Sequence, residues 1–132
     1  MKPSDGPAMI VDLEAIRTNY RLLACRSRGT TAAVVKGDGY GHGMLRSALA
    51  LQEAGARLFF TARLDDAFSL RDHLEPECVI SVLDGANSST MAEAVASGIV
   101  PVINSHEQLS AAVSVAHKTM RPLASSSISI QA

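Results

Sequence analysis

Four short apolar runs begin at positions 33, 58, 78 and 100, each 20–25 residues after the last. They are Ala33-Val34-Val35-Lys36, Leu58-Phe59-Phe60-Thr61, Cys78-Val79-Ile80-Ser81-Val82-Leu83 and Val100-Pro101-Val102-Ile103. Their apolar residues are continuous rather than alternating, which predicts strands buried on both faces of a parallel sheet. The stretches between them carry helical periodicity. Leu45, Ala48, Leu49 and Gln52 share a face over residues 44–54, and Gly55 stands where a helix would end. Leu64, Ala67, Phe68 and Arg71 do the same over 64–74. Thr90 to Glu93 and Ser105 to Gln108 each read as a capping box opening a helix, the first closed by Gly98 and the second running towards His117. An earlier helix, with Leu13, Ile16, Tyr20 and Leu23 at helical spacing, precedes the first strand.

The chain therefore reads as a helix followed by four βα units. Two architectures accommodate that pattern: a doubly wound sheet, or part of a (β/α)8 barrel. A complete barrel takes roughly 250 residues, and this chain has 132. Four strands leave two unpaired edges and cannot close.

Composition narrows the partners. Hydrophobic residues make up 47% and charged residues 19%, enough apolar matter for a core and too much for wholesale disorder. Net charge is −1 and aromatics are 4%, with no Trp, so neither a basic face nor stacking platforms point to nucleic acid. No stretch reaches the roughly 18 apolar residues of a membrane span, and the start lacks a signal-peptide core. Cys25 and Cys78 are too few and too far apart for a disulfide scaffold, and both read as buried free thiols; a reduced, cytoplasmic setting fits. His42, His73, His106 and His117 lack ligand spacing, so no metal is expected.

The densest chemical signal is Val34 to Gly43, VVKGDGYGHG. A lysine ends an apolar strand, and a glycine-rich turn leads into a helix. In parallel sheets the C-terminal strand ends are where active sites form. Loss of hydration disfavours an ammonium, and the neutral amine is a nucleophile suited to a Schiff base. The turn's N–H groups and the following helix N-terminus suit a phosphate, and Tyr40 offers a hydroxyl nearby. A lysine at a strand end is nonetheless most often a solvated surface residue, and the glycines alone describe only a tight turn. Neither the G-x-G-x-x-G dinucleotide fingerprint nor the P-loop pattern is met.

This decapeptide closely resembles the pyridoxal phosphate signature of alanine racemases, usually written with alanine where this chain has Gly37 and often Gly39. Val11 to Ile16 with Asn19-Tyr20, Ala62 to Ala67, and Ser105 to Leu109 resemble the family's opening, second βα junction and fourth junction. The likeness covers about residues 8–124. It implies an incomplete (β/α)8 TIM-barrel-type fold, namely the first four βα units of the family's N-terminal domain, over residues 1–124, with a divergent Ser-rich tail at 125–132. It implies pyridoxal 5′-phosphate as cofactor, held covalently by Lys36, which also acts as one of two bases on the alanine Cα. It further implies that Tyr40 contacts the cofactor phosphate and that Leu83 lies near the cofactor. The implied activity is interconversion of L- and D-alanine, supplying D-alanine for peptidoglycan, by a homodimer when full length.

The family's second base, its pyridine-nitrogen arginine and most of its phosphate cup lie later in sequence than this chain reaches. A truncated or frame-shifted racemase, departing near Ala124 and inactive alone, is the expectation. The alternatives are a related serine or lysine racemase or a pyridoxal phosphate-binding protein, and, from another class, a non-enzymatic flavodoxin-like interaction module. Of the remaining residues, Asp38 is expected to brace the turn and His42 to stabilise it by a hydrogen bond. Arg63 reads as a junction salt bridge or a site residue, the former favoured, and Asp65 and Asp66 are expected to complement a helix N-terminus.

Overall fold

The structure, a computed structural model, describes residues 6–120. The expected tail at 125–132 and the segment from Arg121 lie outside the described residues. In chain order the elements are α1 (Leu13–Arg26), β1 (Ala33–Val34), α2 (Lys36–Tyr40), α3 (Met44–Glu53), β2 (Leu58–Thr61), α4 (Leu64–Arg71), β3 (Val79–Val82), α5 (Met91–Ala96), β4 (Ile99–Pro101) and α6 (His106–Thr119). The first three apolar runs contain their strands, and β4 begins one residue ahead of the fourth run, at Ile99.

The four strands lie in the order β1-β2-β3-β4, every neighbouring pair parallel. A doubly wound sheet reverses its strand order at a switch point, and a flavodoxin-like sheet sets its first strand between the second and third. The unbroken order overturns both readings. It is the progression of a (β/α) barrel, each strand laid beside the last after a helical crossover.

The register defines two faces. Ala33, Phe59, Ile80 and Ile99 pair across the sheet on one face, and Val34, Phe60, Ser81 and Val100 on the other. The first face, with Val35 and Val82, packs under Ala48, Ala67, Leu70, Met91 and Ala94 of the helices. Phe59, Leu70, Ile80 and Met91 are fully buried there, each worth roughly 1.5–3 kcal/mol of hydrophobic stabilisation. The second face differs from expectation. Val34 is 41% and Val79 44% exposed, while Leu58, Phe60 and Val100 are half-buried. Among the described residues this second face is covered only in part: Ser81 is buried, its hydroxyl donating to the Val100 carbonyl at 2.8 Å, while Val34 and Val79 stand open. The continuous apolar sequence is suited to cover on both.

Local signals explain the helix ends, with corrections. Asp12 caps α1, its carboxylate accepting from the amides of Glu14 at 2.9 Å and Ala15 at 3.0 Å. Of the α1 stripe, Leu13, Ile16 and Tyr20 are half-buried but Leu23 is 62% exposed. The Thr90 capping box does not form, because Thr90 makes no side-chain cap. Asn87 Oδ1 instead accepts from the amides of Ser89 and Thr90, at 3.0 and 3.1 Å. At α6, Ser105 Oγ accepts from the Gln108 amide at 3.2 Å, which is half of a capping box. The Gln108 side chain does not return to Ser105. Its oxygen accepts from the Asn104 amide and its nitrogen donates to the Asp84 carbonyl, both at 2.8 Å. Cys78 is buried but Cys25 is exposed, against the expectation of two buried thiols.

Candidate active site

The turn after β1 is built by a run of left-handed backbone. Gly37, Asp38 and Gly39 have φ of 60°, 52° and 63°, Tyr40 has φ 56° and Gly41 φ 81°. The α2 segment is thus a left-handed helical turn from Gly37 onward. Its amides close inward: Gly39 N donates to Val35 O at 2.9 Å, and Gly41 N to Gly37 O at 3.0 Å. Left-handed backbone costs a residue bearing Cβ about 1–2 kcal/mol, so Asp38 and Tyr40 carry strain that the three glycines escape. A Cβ on Gly39 would stand 3.3 Å from the backbone N and Cα of Met44, so α3 approaches the turn closely there.

Two side chains hold this shape. Asp38 Oδ1 accepts from the Met44 amide at 2.8 Å, at the N-terminus of α3. His42 Nδ1 lies 2.9 Å from the Gly39 carbonyl oxygen. A carbonyl only accepts, so this ring nitrogen carries the proton. The bracing expected of Asp38 and the turn-stabilising bond expected of His42 are both present.

Lys36 opens the turn, one residue beyond the last residue of β1 that bonds to β2, since Val35 N donates to Phe60 O at 2.9 Å. It is half-buried. Among the described residues its ammonium has no hydrogen bond or ion pair. Tyr40 ends the same turn and is 61% exposed. Leu83 is half-buried one residue past β3. Its amide donates to Thr61 O at 2.9 Å, and its carbonyl accepts from Asn104 Nδ2 at 2.7 Å. Lys36 and Leu83 therefore stand at the same, C-terminal, rim of the sheet. They are two strands apart, about 10 Å at ordinary strand spacing.

Two clefts adjoin this rim. One, of about 330 Å³, is lined by Val34, Gly39, Tyr40, His42 and the buried Ser47, whose hydroxyl has no partner among the described residues. Ile16 and Leu51 also line it, so it opens towards α1 and α3; Lys36 does not line it. The second, of about 310 Å³, lies between the loops after β2 and β3, with Arg63, Asp65, Asp84 and Gln108 on its walls. Arg63 is exposed and has no salt bridge among the described residues, against expectation. Asp65 and Asp66 occupy the first turn of α4 as expected. Asn104 and Gln108 tie the loop after β4 to Leu83 and Asp84. A capping motif gives no sign of that longer reach. Among the described residues no three His, Cys, Asp or Glu side chains group as metal ligands, and no helix is long and apolar enough to cross a membrane.

The donor set fits an aldehyde cofactor bearing a phosphate. A half-buried amine without a carboxylate partner is free to condense, and a phenol and a glycine-rich backbone stand beside it.

The geometry defines a segment of a (β/α) barrel with a free lysine at its first strand end, and sequence comparison assigns the family. Residues 11–126 match the family described as "Alanine racemase, N-terminal domain", and the chain belongs to it. The alanine racemase of Brucella suis is 46% identical over 105 residues, 79% of this chain and 26% of that protein. The catabolic alanine racemase of Mesorhizobium japonicum is 40% identical over 119 residues, 89% of this chain and 31% of that one. Among solved structures, the Bartonella henselae alanine racemase with covalently bound pyridoxal phosphate superposes with a TM-score of 0.82. Identity is 32%, covering 87% of this chain and 32% of that one. The Streptomyces coelicolor alanine racemase gives 0.77 at 29% identity, over 89% and 32%. The chain thus spans about a quarter of the length of the Brucella relative.

Proposed function

We propose that this chain carries the cofactor-bearing lysine of a pyridoxal 5′-phosphate-dependent alanine racemase. The observation that carries the reading is Lys36. It is a half-buried amine at the end of β1, without a partner among the described residues, in a family member that superposes on a racemase with covalently bound pyridoxal phosphate. Lys36 would hold the cofactor through Nζ, the Tyr40 hydroxyl would bind its phosphate, and Leu83 would wall the site from β3. When bound, the cofactor supplies an electron sink that acidifies the substrate Cα. Lys36 Nζ would then take or return the Cα proton on one face of alanine, a modest base sufficing once that charge is drained.

The domain reading, residues 1–124 as barrel segment and 125–132 as divergent tail, belongs to this proposal; the family match over 11–126 supports the first part. So do the homodimer, the cytoplasmic setting, the absence of a nucleic-acid partner and the supply of D-alanine to peptidoglycan. The 132-residue chain brings one of the two bases and is expected to bind the cofactor without racemising alanine.

The test is trapping. Pyridoxal 5′-phosphate and borohydride are applied to the chain, and digestion locates the label. The chain has three lysines, Lys2, Lys36 and Lys118. Label concentrated on Lys36, and lost in Lys36→Ala, supports the reading. Label spread evenly over the three overturns it.

A further inference from the structure

We propose that Asp38 and His42 are positioning residues: together they clamp the left-handed turn and so set where the Lys36 amine and the Tyr40 hydroxyl stand. The inference rests on the cofactor reading above and adds two residues to it. Five consecutive residues, Gly37 to Gly41, have positive φ, and two of them bear a Cβ. Such a run persists only where its surroundings over-determine it. Helix α3 is the fixed reference, since Ser47, Ala48 and Ala50 bury one side of it.

Asp38 ties the turn to that reference twice. Its carboxylate accepts from the Met44 amide and its carbonyl from the Gly43 amide, both at 2.8 Å. His42 ties the middle of the turn. The Gly39 carbonyl accepts from the His42 ring at 2.9 Å and from the His42 amide at 3.2 Å. The two side-chain bonds can be deleted without touching Lys36 or Tyr40. Once they are gone, Gly37 and Gly39 leave the chain free to leave the left-handed region. Lys36 at the start of the turn and Tyr40 at its end then lose their common frame.

The experiment uses the full chain and the variants Asp38→Ala, Asp38→Asn and His42→Phe. Two quantities are read: the Lys36 share of borohydride-trapped pyridoxal 5′-phosphate, and backbone hydrogen exchange over residues 37–44 without cofactor. Loss of a side-chain cap is worth roughly fivefold in an equilibrium. Asp38→Ala and His42→Phe are expected to lose about that much in both readouts. Asp38→Asn keeps an acceptor oxygen and is expected to stay within about twofold of the parent. Exchange in β2 and β3 reports whether each variant keeps the sheet, and His42→Phe, which deletes the other side-chain bond, carries the test if Asp38→Ala does not fold.

Asp38→Ala or His42→Phe trapping the cofactor on Lys36 as the parent does overturns the clamp and leaves the cofactor reading standing. A drop in Asp38→Asn as deep as in Asp38→Ala also overturns it, because the bond and not the charge is proposed to act. A parent chain that spreads label over all three lysines removes the cofactor reading itself.

Discussion

At the scale of single residues, Gly85 is the glycine with the least room for a side chain among those described. Its φ is 73°, and an added Cβ would lie 2.4 Å from the Val102 carbonyl oxygen and 2.7 Å from both polar atoms of the Gln108 amide. Neither neighbour yields readily, since one is backbone and the other is bonded to Asp84 and Asn104. Gly85→Ala is expected to destabilise the chain by about 3 kcal/mol, read as a lower urea midpoint. Gly37→Ala is the control. It is equally left-handed, with φ 60°, but meets nothing within 4 Å, so it should cost only about 1 kcal/mol. The cysteines separate in the same way. Burial, as the Cys78 side chain leaves water, pushes its thiol above the ordinary 9.0. Its hydrogen bond to Gln52 Oε1, at 3.4 Å, also favours the protonated form. Cys25 is exposed and should react first with iodoacetamide near pH 8, with Cys78 following only on unfolding. A thiol raised in the folded state contributes stability below its unfolded pKa and loses it as pH climbs through the folded value. The protein's urea midpoint should therefore fall on the alkaline side of pH 9 by the part that Cys78 supplies.

At the scale of elements, α1 is the piece with least anchorage. None of its residues is fully buried, and Leu22 and Leu23 are 46% and 62% exposed. One tie to α3 is polar: Arg17 Nη2 and Nε donate to Glu53 Oε2 at 2.6 and 2.9 Å, and within α1 Arg17 also reaches Glu14 at 3.2 Å. The Glu53 bond holds the Arg17 guanidinium above its ordinary pKa. Arg17→Ala and Glu53→Gln should each speed proteolysis within α1, the pair should not add, and both effects should shrink in high salt, as screening requires. Helix α5 makes a sharper contrast. Asn87→Ala should cost about 1 kcal/mol, because Asn87 Oδ1 accepts from the amides of Ser89 and Thr90 and from the Thr90 hydroxyl in the turn that leads into α5. The sequence pattern points to Thr90, since S/T-x-x-E is a local code. The actual cap comes from three residues upstream, in a loop with no periodicity to mark it. The same limit applies to Gln108: its position four residues after Asn104 is readable, but its bond to Asp84 spans 24 positions and exists only once β3 and β4 are side by side. By contrast the strands are legible as continuous apolar runs, and the α3 stripe because burial of one face leaves its period in the sequence. The VVKGDGYGHG motif locates Lys36 and Tyr40, whereas the left-handed winding between them does not follow from glycine content alone. Asp38 and Tyr40 adopt it against their own preference.

At the scale of the whole molecule, the decisive fact is a sheet with one apolar face packed and the other partly open among the described residues. Val34 and Val79 are more than two-fifths exposed on strands whose other face is a dense core. The edges add to this, because among the described residues β1 pairs only with β2 and β4 only with β3. Unpaired parallel edges beside exposed valines are a template for association. The 132-residue chain on its own should therefore bind a hydrophobic dye in its native state and sediment as concentration-dependent oligomers. Lysine placed on the open face tests the cause. Val79 opens β3, at the opposite end of that strand from Leu83 and the rim that bears Lys36. Val79→Lys should suppress dye binding and shift the sedimentation distribution towards monomer, while the thermal midpoint changes little. A dilute and a concentrated sample that both sediment as one monomeric species and melt cooperatively would show that the open face is tolerated by water, and the association argument would fail. If Val79→Lys yields monomer and still traps pyridoxal 5′-phosphate on Lys36, the rim of the sheet works independently of whatever covers its floor. That independence is what the strand order predicts, since Lys36 is held by β1, its turn and α3, all of them within the described segment.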